Sequence, residues 1–246
     1  MQNIWVIARK EFTSYFSRVV AYSIAFLVLN ILGVIFAFTF LSLATNPYIS
    51  QAPDSRIVTG PLAFLILLAT PALTMRLIAD EFRMGTMELL MTTPIHDYQL
   101  VIGKWFGAFL FELVLISISL IFPLILNQLV HPGIDQKQLI VGYLGVILVA
   151  SALLGLGTGI SAMFQNPFAA FFTTLTLFII LWWLIGVPSS LLSTGGDFFS
   201  YLDIGTQVYE NFSLGVIKLT NLTYLISLTV IGLATGVVAL DFKRWK

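Results

Sequence analysis

Apolar residues in this chain fall in long unbroken runs, and polar residues gather in short clusters between them. Six runs, at about 19–44, 61–79, 99–126, 139–164, 167–189 and 219–240, can each cross a hydrocarbon layer about 30 Å thick as a helix. Helices are required there, because lipid offers no partner to an open backbone N–H or carbonyl. Residues 1–18 follow another pattern. Ile4, Trp5, Ile7, Ala8, Phe12, Tyr15 and Phe16 recur near helical spacing, with Arg9, Lys10, Glu11 and Ser14 filling much of the remainder. That alternation predicts a helix lying in the membrane interface, anchored by Trp5 and Tyr15; a frayed basic tail is the alternative. The first apolar run is too long for a cleaved signal, whose apolar region spans about 7–15 residues.

Composition agrees with this pattern. Hydrophobic residues make up 58% of the 246 and charged residues 10%, with a mean hydropathy of +0.96; soluble domains carry about 25% charge. The expectation is a single all-α integral membrane domain over 1–246. Twelve basic and twelve acidic residues cancel, so no bulk charge draws the chain to nucleic acid. Without cysteine there is no disulfide, thiolate metal site or cysteine nucleophile. With an even number of spans both termini lie on one side. Placing them in the cytoplasm puts Arg9, Lys10, Arg18, Arg76, Arg83, Lys104, Lys243, Arg244 and Lys246 at that face and leaves Arg56, Lys137 and Lys218 outside, a division of nine against three. The positive-inside bias selects this orientation.

One polar cluster is unusually rich. Residues 80–95, "DEFRMGTMELLMTTPI", lie between the second and third runs and hence in the cytoplasm. Helical spacing puts Met84, Met87 and Met91 on one side and Phe82 and Leu89 on another. Such a helix can lean on the bundle with one side and on a partner with the other, and methionine adapts to irregular grooves. The plainer reading folds the loop back on the bundle, with Pro94 ending the helix and Arg83 and Glu88 in water. Glu112 sits inside the third run, where ionisation is costly, so it should face the bundle, a wet path or Lys104. It is the candidate for a translocation route. Small residues in "GLGTG" (155–159), at Gly103 and Gly107, and at Gly232 and Gly236 favour close helix crossings, inside the bundle or at a seam between two copies.

The segment 188–218 falls outside and is too apolar for a solvated linker. Phe198, Phe199, Tyr209 and Phe212 are its candidate gate residues, or else parts of a lid over the helix tops. An intramembrane enzyme is disfavoured, because His96 and His131 both lie in loops.

These stretches, taken in order, resemble ABC-2 type transporter permeases. "RLIADEFRMGTMELLMTTPIHDYQLVIGKWFGAFL" (76–110) carries the acidic, basic, Gly-Thr, Glu, apolar pair, Pro and Gly-Lys succession at Glu81, Arg83, Gly85, Thr86, Glu88, Leu89, Leu90, Pro94, Gly103 and Lys104. "IARKEFTSYFSRVVAY" is similar to the interfacial segment of the gliding-motility-type branch, and "YENFSLGVIKLTNLTYLISLTVIGLATGVVAL" to the last outer segment and final helix. The resemblance implies a six-helix permease half in a prokaryotic plasma membrane, an exporter paired with a second permease subunit and two cytosolic ATPase subunits. It makes 81–94 the coupling helix and its flanks, with Glu81, Arg83, Met84, Gly85, Thr86, Met87, Glu88 and Met91 against the ATPase. It also makes the short outer helices re-entrant. No phosphate-binding loop occurs in the sequence, so the chain itself is no ATPase and holds no cofactor; ATP and Mg belong to the partner. The competing class is a transporter or scaffold that needs no ATPase, whose mark would be several ionisable residues at mid-membrane or an inverted repeat. Only Glu112 lies at that depth.

Overall fold

A computed structural model describes residues 2–17, 19–45, 54–87, 95–191 and 196–244, and every regular element among them is helical. An amphipathic helix α1 (Gln2–Ser17) leads into α2 (Val19–Thr45). The second span is α3 (Arg56–Thr74), which turns at 75–78 into the short α4 (Ala79–Arg83). The third is α5 (Asp97–Ser119) continued by α6 (Ile121–Leu129), the fourth α7 (Gln136–Met163), and the fifth α8 (Pro167–Ile179) with a π-helical turn, Ile180–Leu184. Short helices α9 (Val187–Leu191), α10 (Gly196–Leu202) and α11 (Glu210–Ser213), with a second π turn at Ile204–Tyr209, precede the sixth span, α12 (Leu219–Arg244). Among the described residues, six helical stretches are long and apolar enough to cross a membrane.

Proline accounts for one interruption. Pro123 has no N–H for the Ser119 carbonyl one turn back, and the third span breaks at Leu120 between α5 and α6. Pro71 likewise lacks an N–H, here for the Leu67 carbonyl, yet α3 runs on unbroken to Thr74; beside it Thr70 and Thr74 turn their hydroxyls onto the Ile66 and Thr70 carbonyls at 2.7 and 2.9 Å. Asp135 and Asn166 cap α7 and α8 in the ordinary way, accepting from the backbone N–H groups two residues on at 2.8 and 2.9 Å.

Burial ranks the spans. The second and fourth have 72% and 61% of their most apolar window buried, whereas the first and fifth have 17% and 22%, so α3 and α7 form the centre and α2 and α8 the outside. A helix whose every face is apolar can occupy either place; what distinguishes α7 is its glycines. A Cβ on Gly155 would lie 2.9 Å from the Thr229 carbonyl oxygen, and one on Gly159 would collide with the Gly232 carbonyl of α12. The small residues of the fourth and sixth spans thus serve packing within one chain.

Two ends result. One gathers both described termini, α4 and the starts and ends of several spans; the other gathers the short helices between the fifth and sixth spans.

Candidate functional site

At the end that holds the termini, glycine again sets the geometry. Gly103 and Gly107 present a bare strip of α5 to α1. A Cβ on Gly103 would stand 2.8 Å from Ile7 Cβ, and one on Gly107 would stand 2.7 Å from both the Ala8 carbonyl oxygen and Glu11 Cβ. With Ala8 fully buried in this seat, Glu11 is brought over Lys104, the neighbour of Gly103.

Lys104 is buried, and its ammonium reaches two carboxylates. Nζ lies 2.6 Å from Oε1 of Glu81 and 3.4 Å from Oε2 of Glu11. One cation therefore ties together α1, α4 and the third span. The other oxygen of Glu81 is enclosed without a hydrogen-bond partner among the described residues. Beside this cluster a cavity of about 380 Å³ opens between Lys10, Glu11, Arg76, Asp80, Glu81 and Lys104. Arg76 is half-buried in its wall instead of reaching freely into water.

The segment around α4 is braced from other directions. Ser161, near the end of α7, accepts from the backbone N–H groups of Ile78 and Ala79, both at 3.2 Å, and so caps α4 from a different helix. Lys243 on α12 donates to the Ala162 carbonyl at 2.9 Å and lies 3.8 Å from the centre of the Phe82 ring. Arg244 pairs with Asp97 at 3.5 Å.

The expected common side for Met84 and Met87 does not form. Gly85 takes a left-handed φ of +71°, a conformation glycine adopts without the penalty a side chain would bring, and it ends the helix between them. Met84 is consequently 65% exposed while Met87 is 3% exposed, packed with Leu77, Leu100, Leu154 and Leu240. Arg83, Met84, Gly85 and Thr86 form an exposed tip, with Glu81 directed inward and Met87 serving as its root. Glu88 and Met91 lie outside the described residues.

Glu112 is buried in the third span and faces the bundle. Lys104 is turned away from it toward Glu11 and Glu81; its contact is the hydroxyl of Thr70 on the second span, 2.8 Å from Oε1. At the opposite end Phe212 is fully buried with its Cβ over Gly145, where an added Cβ would lie 2.5 Å away, and Tyr209 is buried against Trp182. Phe199 is half-buried, and the Phe198 side chain lies outside the described set. Gln138 donates to the Ser213 carbonyl at 2.9 Å, and Tyr224 to the Leu202 carbonyl at 2.8 Å, so the short helices are fastened to the fourth and sixth spans.

Residues 5–244 match the family described as ABC-2 family transporter protein. The chain belongs to that family. It is accordingly a membrane permease component of an ABC transporter, a class that works with ABC ATPase partners. No curated protein matches the chain. The positions that carry the resemblance now have physical duties: Gly103 admits α1, Lys104 binds Glu81, and Gly85 turns the chain after α4. Sequence reasoning assigned Glu11 and Ser161 no such part. Glu11 fills the polar side of an amphipathic helix, and neither bond has a local signature, since the partners lie far away in sequence.

Proposed function

We propose that this ABC-2 permease is half of an exporter, of the gliding-motility-type branch, driven by two cytosolic ATPase subunits that dock on the end carrying α1 and α4. That end then faces the cytoplasm of a prokaryotic cell, and residues 81–94 transmit the ATPases' movement. The observation that carries this reading is the exposed Arg83–Thr86 tip on a braced root. Met87, the Ser161 cap and the Lys104 ion pairs connect that root to the second, third and fourth spans. A force on the tip reaches α1 and three spans at once, and a partner can shift the permease only through contacts that differ between its own states. The first span supports pairing with a second permease subunit: Tyr22, Phe26, Leu27, Ile31 and Phe38 are exposed on it, with Ser23 and Asn30 between them. The short helices α9 to α11 re-enter the outer leaflet in this reading, with Tyr209 and Phe212 closing the outer end. Glu112 lies behind that closure at mid-membrane.

Co-purification with the ATPase encoded beside this chain tests the docking. Met84→Glu combined with Arg83→Glu should lower ATPase recovery at least about tenfold, the effect of roughly 1.4 kcal/mol, while leaving membrane insertion unchanged. Undiminished recovery with normal transport would remove the tip from the contact.

A further inference from the structure

The surroundings of Glu112 hold more hydrogen-bond acceptors than protons. Thr70 Oγ1 lies 2.7 Å from the Ile66 carbonyl oxygen and 2.8 Å from Glu112 Oε1. A hydroxyl carries one hydrogen, and a carbonyl or an ionised carboxylate can only accept. With Glu112 ionised, that single hydrogen must choose between them, and two oxygens face each other at 2.8 Å or at 2.7 Å without a proton between. The second carboxylate oxygen, Oε2, is enclosed and has no hydrogen-bond partner among the described residues.

Among the described residues no cation compensates. Lys104, two turns earlier on the same helix, is engaged by Glu11 of α1 and Glu81 of α4. Arg76 of the second span lies in the wall of the charged cavity. Tyr15 of α1, stacked on Phe111, donates to the Leu73 carbonyl at 3.0 Å. Tyr143 of the fourth span shares a hydrogen bond with Ser119 at 3.1 Å, and on the sixth span Tyr224, Lys243 and Arg244 bond elsewhere. Tyr22 of α2 and Asp241 of α12 are exposed. An anion with at most one hydrogen bond at such a depth is strongly disfavoured.

One added proton resolves the count. The carboxyl O–H donates to Thr70 Oγ1, Thr70 donates to the Ile66 carbonyl, and Oε2 becomes the carbonyl oxygen of a neutral acid, whose lack of a partner costs far less than that of an anion. We propose that Glu112 is a proton-binding site, occupied while the second and third spans are packed together and emptied to water when they part. The proton is then a ligand of the closed bundle. Anything that separates α3 from α5 releases it, and its release favours keeping them apart, as linkage requires of any ligand that binds one state better. This goes beyond the permease assignment and holds for the chain by itself.

Infrared difference spectroscopy of the reconstituted protein tests the occupied state. At neutral pH the wild type should show a protonated carboxyl C=O band that is lost in Glu112→Gln and retained, but displaced, in Thr70→Val. Ala108, fully buried one turn before Glu112 on α5, reports the opening; the chain has no cysteine of its own, so Ala108→Cys gives a single thiol. As pH is raised, this thiol should become reactive in the wild-type background and stay protected when Glu112→Gln is added. The glutamine variant should fold, because its amide can donate to Thr70 as the neutral acid does. Absence of the band at neutral pH, its survival in Glu112→Gln, or equal labelling of the two backgrounds would overturn the proposal.

Discussion

Removing the Lys104 ammonium without removing its bulk isolates what the charge contributes. Lys104→Met keeps the buried stem and leaves two carboxylates facing one another. At an effective dielectric constant of about 20, contacts at 2.6 and 3.4 Å represent roughly 6 and 5 kcal/mol of gross attraction. Desolvation of three charged groups and repulsion between Glu11 and Glu81 offset most of it. Breaking a fully buried pair typically costs about 3–5 kcal/mol, because a charge is stranded. Glu11 and Glu81 retain 12% and 20% of their side-chain exposure, so water relieves part of the stranding, and about 2–4 kcal/mol is the expected loss. Thermal unfolding of the purified chain in detergent gives the readout, with Glu81→Gln completing a double-mutant cycle. Glu81→Gln should restore about 1–2 kcal/mol when added to Lys104→Met, since it removes the stranded charge. Stability of Lys104→Met within about 0.5 kcal/mol of wild type, or strictly additive effects in the cycle, would refute the view that one cation holds α1 and α4 to the third span.

Two further outcomes concern the membrane ends. In intact cells an impermeant thiol reagent should label Gln136→Cys and spare Met84→Cys, which should react only after lysis; the reverse pattern would invert the orientation. Phe212→Ala, which empties a fully buried ring site over Gly145, should cost about 3–5 kcal/mol. If the short outer helices gate the exit, Tyr209→Ala with Phe212→Ala should also raise basal ATPase activity or substrate leak per folded complex. A loss of melting temperature with unchanged coupling would make them a lid.

The spans were legible because apolar length is sufficient evidence of a crossing helix, and the glycine pairs of the fourth and sixth spans were legible as close-packing positions because small residues one turn apart have few other uses in lipid. Polar partnership was not. Lys104 and Glu112 share a helix and nearly a face, which makes them look like a pair, yet Lys104 bonds to Glu11, 93 positions away, and Glu112 to Thr70, 42 positions away. Spacing along one helix says which residues share a side and nothing about what another helix delivers to it. The methionine pattern failed for a local reason. Periodicity presumes an unbroken helix, and Gly85 at φ +71° resets the register between Met84 and Met87. The Gly-Thr at 85–86 was itself the warning, since glycine favours the left-handed turn that ends a helix.

The seat of α1 on Gly103 and Gly107 has a consequence for how the protein is made. α1 leaves the ribosome before the strip it packs against, which is synthesised about a hundred residues later. Until the third span has entered the membrane, Ala8 and Ile7 have no glycine strip to rest on and Glu11 has no Lys104. During that interval the apolar side of α1 lacks its seat, and a membrane interface is a surface that can cover it. Docking of α1 thus depends on the third span lying the right way round, because an inverted span would carry Lys104 to the opposite leaflet and leave Glu11 behind.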